Sequence, residues 1–285
     1  MQADRLGNGI SSTHDRGGYT MPSEKRSREI LRRLAIGALS IGAFIAFWYV
    51  VAWLDKETVV LYPHNVFGTL FSSFTHAIPW RGRLMGDEIL ASLGRLFWGF
   101  SLAFVLAVPL GLLIGYSWIA NVASKPIIEV IRPIPPLAWI PIFIVIFNNV
   151  IGPIMVVFLG IFFPLLLAVV FGVRSVPREL VEAARTLGAK RSSIFSKVIF
   201  PSTVPYMMNG IYVGLGVGWM CIVAAEMMGV SGGGLGDLIN AAGSSGNYDV
   251  MYSAMVMLGI LGFLTTEVAR IFSQEVREWM GMKAE

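Results

Sequence analysis

Six stretches of the chain are almost continuously apolar, and short polar segments separate them. They cover residues 34–54, 89–115, 127–147, 150–171, 204–228 and 250–272. An apolar helix of about 20 residues spans the hydrocarbon core of a bilayer, which is roughly 30 Å thick. The pattern therefore predicts an all-α membrane protein with six transmembrane helices within residues 34–272.

The third stretch differs from the others because it is rich in proline. A helix exposed to lipid tolerates proline poorly, since each backbone group that loses its helical partner needs another one inside protein or near water. We therefore expect this helix to face the interior of the bundle or a water-filled path. The prolines in question are Pro126, Pro133, Pro135, Pro136 and Pro141.

Lysine and arginine are concentrated in three segments, which are residues 1–33, the loop 174–201 and the C-terminal end 273–285. With six spans these segments lie on one side, which the positive-inside rule identifies as the cytoplasm. The opposite side carries only Lys56, Arg81 and Arg83, all in its first loop. This distribution accounts for the net charge of +4, so the charge does not call for a nucleic-acid partner.

The two ends of the chain and the outer loop lie outside the predicted spans. Residues 1–33 are predicted to be a basic, partly disordered cytoplasmic tail, and the apolar run after them is too long for a signal peptide. Residues 1–20 are either a native tail or the result of a wrongly assigned start before Met21. Residues 273–285 are expected to form a cytoplasmic end. In the outer loop, the pattern from Val66 to Phe74 predicts a short helix at the membrane interface.

The loop between the fourth and fifth spans contains an amphipathic segment. Leu180, Ala183, Ala184 and Leu187 recur at the spacing of one helical face. Gly188 then supplies a residue that can adopt the left-handed conformation in which helices commonly end. A second short helix is predicted around 195–199, and we expect it to close at Pro201.

This segment resembles the EAA loop of binding-protein-dependent ABC-transporter permeases, in which E-A-A, a glycine and a proline recur at fixed spacing. Glu182, Ala183, Ala184, Gly188 and Pro201 are in register with it. Four further segments resemble the nitrate, sulfonate, taurine and bicarbonate branch of these permeases, namely 132–136, 163–164, 172–177 and 223–227.

The resemblance implies a fold like that of type I ABC importers, in the cytoplasmic (inner) membrane of a prokaryote. It implies that this loop couples the chain to an ATPase through Glu182, Ala183, Ala184, Arg185, Leu187, Gly188 and Pro201. The expected partners are a second permease copy, two ABC ATPase subunits and an extracytoplasmic solute-binding protein. The chain would be a transport subunit and not an enzyme, with no cofactor of its own, and ATP and magnesium would bind to the partner ATPase.

Motifs of catalysis and metal binding are not found in the sequence. The single cysteine, Cys221, lies in an apolar span, and His14, His64 and His76 share no spacing of metal ligands. No G-x-x-x-x-G-K-[ST] phosphate loop occurs. Glycines of the fifth span instead suggest close helix packing, at Gly210, Gly214, Gly216 and Gly218.

Ionisable residues inside apolar spans are candidates for the transport path, because charges at membrane depth normally face the bundle interior. They are Arg95, Glu129, Arg132, Glu226, Glu267 and Arg270. Glu129 and Arg132 are one turn apart and could neutralise each other, and Glu267 and Arg270 are better explained as an interfacial pair. Glu226 precedes a glycine-rich segment, and its carboxylate could accept hydrogen bonds from the backbone N–H groups of that segment. We assign the path and an outer gate to Arg132, Pro133, Pro135, Glu226, Gly234 and Gly236.

The cargo is left open at this point. A small anion such as nitrate, a sulfonate or bicarbonate agrees with the resemblance, whereas a neutral or aromatic precursor of the pyrimidine or flavin type is the alternative. A stand-alone ion-coupled carrier is a further alternative, but it would need a coupling carboxylate at mid-membrane, and the sequence offers no clear one.

Overall fold

The computed structural model describes residues 23–55, 59–229 and 231–279, and the regular structure in these ranges is helical. Two short turns of other types connect helices, a 3-10 turn at Pro136–Trp139 and a π turn at Phe195–Ile199. The helices are α1 Ser23–Leu54, α2 Pro63–Thr75, α3 Met85–Tyr116, α4 Trp118–Ile131, α5 Ile140–Arg174, α6 Arg178–Thr186, α7 Arg191–Ile194, α8 Phe200–Met227, α9 Leu235–Ser244 and α10 Tyr248–Trp279.

Five helical stretches of the described residues are long and apolar enough to cross a membrane. Four of them match the predicted first, second, fifth and sixth spans, of which the first and the fifth each extend one residue beyond the helical stretch. The remaining one contains the predicted fourth span and the second half of the predicted third span. The five are Ala35–Leu54, Met85–Tyr116, Pro136–Arg174, Arg191–Met227 and Tyr248–Val276.

The shared stretch is divided by a turn at Asn148, which has a positive φ of 66°. The side-chain oxygen of Asn148 accepts hydrogen bonds from the N–H groups of Val150 and Ile151, at 2.9 and 3.3 Å. A Cβ built on Gly152 would lie 3.0 Å from the Cα of Ile144, although eight residues of straight helix cover about 12 Å. The chain therefore folds back at Asn148, so the predicted division between the third and fourth spans is present as a helical hairpin.

The prediction of one continuous third helix over 127–147 is wrong. The helical region begins earlier, at Trp118, where the Ser117 hydroxyl accepts a hydrogen bond from the Ala120 N–H at 3.3 Å. It ends at Ile131 and resumes at Ile140. The prolines between these points lack the N–H that a helix needs and restrict the residue before them, which explains the interruption.

The core of the bundle lies where α3 and α8 pack against α5. Glycines permit this close approach, since a Cβ built on Gly99 would lie 2.6 Å from the side chain of Val157. In α8, a Cβ on Gly210 or Gly218 would lie within 3.0 Å of an α5 side chain, and a Cβ on Gly214 would lie 3.0 Å from one. The predicted packing role is therefore confirmed at three of the four glycines, whereas Gly216 faces open space.

A second cluster joins α2 and α9 to α10. Leu70 of α2 and Leu238 of α9 are buried in it together with Ala254 of α10, and the Ser253 hydroxyl donates to the Val66 carbonyl at 2.9 Å. The predicted helix in the outer loop is thus confirmed, and one of its faces is buried against protein. Its placement at a membrane surface stays a prediction.

The two ends of the chain are described only in part. Residues 1–22, including Met21, and 280–285 lie outside the described residues. The backbone of 23–33 already belongs to α1, and α10 continues beyond residue 272 to Trp279. The described residues up to Leu54 form a unit of their own, in which apolar side chains such as Leu39, Phe47 and Trp53 are exposed.

We expect Gly99→Val to loosen the packing of α3 on α5, because the added side chain would overlap Val157 and approach the carbonyl oxygen of Ile154. Overpacking of this kind costs about 1–3 kcal/mol, which thermal unfolding of the purified chain would register as a lower melting temperature. Gly94→Val is the matched control, since it lies in the same helix with nothing within 4 Å of its Cβ position. Equal melting temperatures for the two variants would contradict this account of the core.

Candidate functional site

The predicted helix–glycine–helix segment is present in the loop between α5 and α8. Gly188 follows α6 with a φ of +79°. The Gly188 N–H donates to the Arg185 carbonyl at 2.9 Å, and the Ala189 N–H donates to the Ala184 carbonyl at 3.0 Å. This pair of hydrogen bonds is the Schellman motif, which needs a left-handed residue at the position of Gly188. The predicted conformation of Gly188 is therefore confirmed.

The apolar residues of α6 divide between two faces, which the sequence pattern did not separate. Val181 and Ala184 pack against a small cluster around Val173, Ile194 and Ile199. The opposite face is exposed: Leu180 is 52% and Leu187 88% accessible, with Ala183 exposed between them. We call Leu180, Ala183 and Leu187 the exposed stripe. Ala184 thus belongs to the inner face and not to the stripe.

Pro201 does not close the second helix, contrary to the prediction. From α7 the chain passes through the π turn directly into α8, and Pro201 lies in the first turn of that helix. The wider π turn before Pro201 accommodates its ring, so the helix continues past the proline. The cytoplasmic loop is therefore helically continuous with the fifth predicted span.

Behind α6 lies a groove with a volume of about 330 Å³, next to the ends of α3 and α5. Arg178, Glu182 and Arg185 line it together with Tyr116 and Ile199. The carboxylate of Glu182 thus lies on the side of α6 that faces the rest of the chain, between two arginines of the same helix, and not in the exposed stripe.

At the opposite end of the bundle, Glu226 is fully buried and accepts several hydrogen bonds. The Arg95 Nη1 forms an ion pair with it at 2.6 Å, and the Ser92 hydroxyl donates to it at 2.9 Å. The Gly236 N–H also donates to Glu226, at 2.9 Å. The predicted hydrogen bond from the glycine-rich segment to this carboxylate is present. The role of Glu226 in gating stays a prediction.

Arg95 and Ser92 extend these contacts into the turn before α9, which we call the glycine-rich turn (229 and 231–236). The Arg95 guanidinium donates to the carbonyls of Ser231 and Gly233, at 2.9 and 2.7 Å. The N–H of Leu235 donates to the Ser92 hydroxyl at 2.9 Å. A buried ion pair is tolerated only when further hydrogen bonds satisfy its remaining polar atoms, as they do here.

A second buried carboxylate, Glu88, holds the same turn from another side. The Arg81 Nε donates to Glu88 at 2.7 Å, and Arg81 also pairs with Asp237 in the first turn of α9. The N–H of Gly234 donates to Glu88 as well, and Arg83 donates to the Gly232 carbonyl at 2.6 Å. Burial lowers the pKa of Arg81, but its bonds with Glu88 and Asp237 raise it above the ordinary value.

We call these side chains the outer network, and they are Arg81, Arg83, Glu88, Ser92, Arg95, Glu226 and Asp237. Sequence reasoning identified Glu226 and noted Arg95, but it missed the others. A signal was available, because Glu88, Ser92 and Arg95 recur at i, i+4 and i+7 of α3 and so form one polar stripe on an apolar helix. The glycine-rich turn needs them, since a side chain at Gly233 or Gly234 would collide with Glu88 or Glu226.

The remaining candidates for the path lie elsewhere. Arg132, Pro133 and Pro135 are exposed in the interruption between α4 and α5. Glu129 pairs with Lys125 at 3.8 Å and not with Arg132, which corrects the predicted neutralisation.

Glu267 and Arg270, which the sequence favours as interfacial residues, form an ion pair with each other within α10, and they lie outside the outer network. The structure therefore does not bring the predicted path residues together at one site. Glu226 and Gly234 meet in the outer network, with Gly236 in the first turn of α9, whereas Arg132 lies on the other side of the bundle near Ile114 and Arg174.

Comparison with known families and proteins gives a consistent result. The family of binding-protein-dependent transport system inner membrane components matches residues 107–278. A Methanocaldococcus jannaschii protein named as an ABC transporter permease is 35% identical over 258 residues, which cover 90% of this chain and 94% of that protein. The taurine transport system permease protein TauC of Escherichia coli is 30% identical, with 87% and 90% of the two chains covered.

The nitrate import permease protein NrtB of Leptolyngbya laminosa is 35% identical over 190 residues, which cover 66% of this chain and 68% of that protein. Among solved structures, a chain of the inward-facing MetNI methionine ABC transporter is similar, with a TM-score of 0.55 and 25% identity. The match covers 65% of this chain and 93% of the MetNI chain.

Arg95→Met should destabilise the chain strongly, because it leaves Glu226 buried without its counter-charge. Removing one partner of a buried pair costs about 3–5 kcal/mol, so thermal unfolding of the purified protein should show a much lower melting temperature. The double variant Arg95→Met/Glu226→Leu leaves no buried charge from this pair and should be less destabilised than the single variant.

The matched control for this test is Arg270→Met, which breaks the exposed pair with Glu267. Exposed pairs contribute little because water screens them, so we expect only a small change. If Arg270→Met lowered the melting temperature as much as Arg95→Met, the buried pair would contribute no more to stability than the exposed one.

Proposed function

Since this chain belongs to the family of binding-protein-dependent transport system inner membrane components, we propose that two copies of it form the transmembrane path of an ATP-driven importer of a small anion. The chain is a permease subunit of the ABC type, with an all-helical fold like that of the MetNI permease. ATP hydrolysis takes place on a partner chain, to which ATP and magnesium bind. A closed dimer of like subunits places the path on the shared symmetry axis.

The exposed stripe of α6 is the observation that carries this proposal. Three apolar side chains, Leu180, Ala183 and Leu187, project from a short helix in the most basic loop of the chain. Exposed apolar surface with a polar rim is typical of protein interaction sites, and the exposed residues of α6 outside the stripe are all charged or polar. An ATPase subunit that buries the stripe would bind at the cytoplasmic face, where the charge distribution places this loop.

The helical continuity from α7 to α8 supports a mechanical route from the ATPase to the path. A displacement of α6 passes through the Schellman turn at Gly188 to α7, and from there through the π turn to α8. π turns inside helices often occur at functional sites. Because α8 also carries Glu226, movement of the cytoplasmic loop would reach the outer network through one rigid element.

The proposed cargo class rests on two observations. Relatives named for taurine and for nitrate import are 30% and 35% identical to this chain. In addition, the inner half of the bundle carries an excess of positive side chains around Arg132. An extracytoplasmic solute-binding protein would select and deliver the anion, as the family description of binding-protein-dependent transport indicates.

The outer network is proposed as the outer gate of the path. It fixes the glycine-rich turn between α3 and α8 through two buried carboxylates, Glu88 and Glu226. Gly229, Gly232, Gly233 and Gly234 all have positive φ, so the turn owes its conformation to these contacts. Opening of the gate requires that the hydrogen bonds of Glu226 and Arg95 break together. This creates a barrier that ATP-driven movement must overcome.

Leu187→Asp should reduce binding of the ATPase, because a carboxylate in the exposed stripe cannot be buried against an apolar surface without a large cost. We expect at least about a tenfold loss of ATPase co-purification, equivalent to about 1.4 kcal/mol. Leu84→Asp introduces the same substitution at an exposed leucine on the opposite side and should leave co-purification intact. Equal retention of the ATPase by Leu187→Asp would refute α6 as the docking element.

Glu226→Ala should raise basal ATP hydrolysis or make it independent of the binding protein, because it removes the acceptor for Ser92, Arg95 and the Gly236 N–H. Glu226→Gln keeps the size and part of the hydrogen bonding, so its effect should be milder. The measurement is ATPase activity with and without the binding protein in reconstituted vesicles. Glu267→Gln and Glu267→Ala serve as controls, and harmless substitutions at Glu226 would reduce it to a structural residue.

A further inference from the structure

An open cavity of about 540 Å³ lies between α4 and the C-terminal parts of α3 and α5, away from the outer network. Its wall is apolar where Ile114, Ile128, Leu167 and Val170 line it. The polar side chains around it come from α4 and its end and from the last residue of α5. They are Asn121, Ser124, Lys125, Glu129, Arg132 and Arg174.

The charge of this cavity is not balanced. Lys125 and Glu129 pair at 3.8 Å, and both are largely exposed. The side chains of Arg132 and Arg174 have no hydrogen bond or ion pair with any residue in the described part of the chain. Cationic side chains within a membrane protein normally face a partner or a water-filled cavity. Two arginines thus remain available for an anionic group from outside the chain.

The chemistry of the lining defines the ligand class. A guanidinium presents several N–H donors in one plane, which fit the oxygens of nitrate, sulfonate, carboxylate and phosphate groups. The amide of Asn121 and the hydroxyl of Ser124 can donate further hydrogen bonds. The volume falls within the range of small-molecule sites, about 300–1,000 Å³, and the apolar wall can receive a short carbon chain.

We propose that this cavity is a binding site for an oxyanion group on the cytoplasmic side of the chain, with Arg132 and Arg174 as its principal ligands. The identification of the oxyanion as the transported solute rests on the proposed function, whereas the site itself rests on the cavity. The same chemistry would also accept the head group of an anionic lipid, and the experiment separates the two sources.

The position of Arg174 gives the site a consequence for coupling. Arg174 is the last residue of α5, and only Ser175, Val176 and Pro177 separate it from α6. An oxyanion held by Arg132 and Arg174 therefore links the interruption after α4 to the start of α6. Anion that accumulates in the cytoplasm would stabilise this arrangement by mass action and so slow the next transport cycle.

The test uses the complete complex with its ATPase in nanodiscs of phosphatidylcholine. Sodium nitrate, methanesulfonate and sulfate are titrated against sodium chloride at constant ionic strength, and the melting temperature is measured. At least one oxyanion should raise it in the wild type. Arg132→Gln and Arg174→Gln should each weaken the apparent affinity by about tenfold or more, a loss of about 1.4 kcal/mol. Arg32→Gln, an exposed arginine that does not line the cavity, should bind like the wild type.

A second arm replaces part of the phosphatidylcholine with phosphatidylglycerol. A stabilisation by this lipid that Arg132→Gln and Arg174→Gln abolish, without an effect of the free anions, would identify the bound oxyanion as a lipid head group. If neither source distinguishes these variants from the wild type, or if Arg32→Gln loses binding equally, the site does not exist. Binding-protein-dependent uptake by the same complexes shows separately whether the proposed function holds when the site fails.

Discussion

The buried ion pair between Arg95 and Glu226 is the interaction on which the outer half of the structure depends. Neither charge could remain in an apolar bundle alone, because the desolvation of a single ion costs several kcal/mol even after relaxation. The pair is stable because Ser92 and the Gly236 N–H satisfy Glu226, while two carbonyls of the glycine-rich turn satisfy Arg95. The pair thus fixes the conformation of the turn together with Glu88 and Arg83, and the pair is satisfied only while the turn is in place.

Helix α8 connects the outer network with the cytoplasmic loop. At its outer end it carries Glu226, and at its inner end it begins directly after the π turn, without a flexible joint. Along its length Gly210, Gly214 and Gly218 place it against α5 at a distance that no larger residue permits. A helix held so closely along one face moves as a rigid body together with its neighbour.

Much of the fold could be predicted from hydrophobic length alone, because a span of about 20 apolar residues has few alternatives. The left-handed conformation of Gly188 could also be predicted, since a glycine directly after an amphipathic segment is a local sequence signal for the end of a helix. The interruption after Ile131 and the passage of the helix through Pro201 could not, because the effect of a proline depends on its position within a turn. The partners of Glu226 on α3 were missed for another reason. Ser92 lies 134 positions away in the chain, and no local pattern records which helices become neighbours.

The two ends of the bundle differ in charge, and this difference gives the proposed path a direction. In the outer network, Arg81, Arg83 and Arg95 are balanced by Glu88, Glu226 and Asp237, so a carboxylate such as Glu226 does not repel an anion at a distance. At the inner cavity, Lys125, Arg132 and Arg174 face only Glu129. An anion released by the proposed gate would therefore meet a positive potential on the cytoplasmic side, and fields of this kind are strongest where apolar walls limit screening by water. The attraction must stay moderate, because a site that held the anion tightly would prevent its release. The high exposure of Lys125 and Glu129 and the open form of the cavity fulfil this condition, since water and salt reach the charges and weaken the binding.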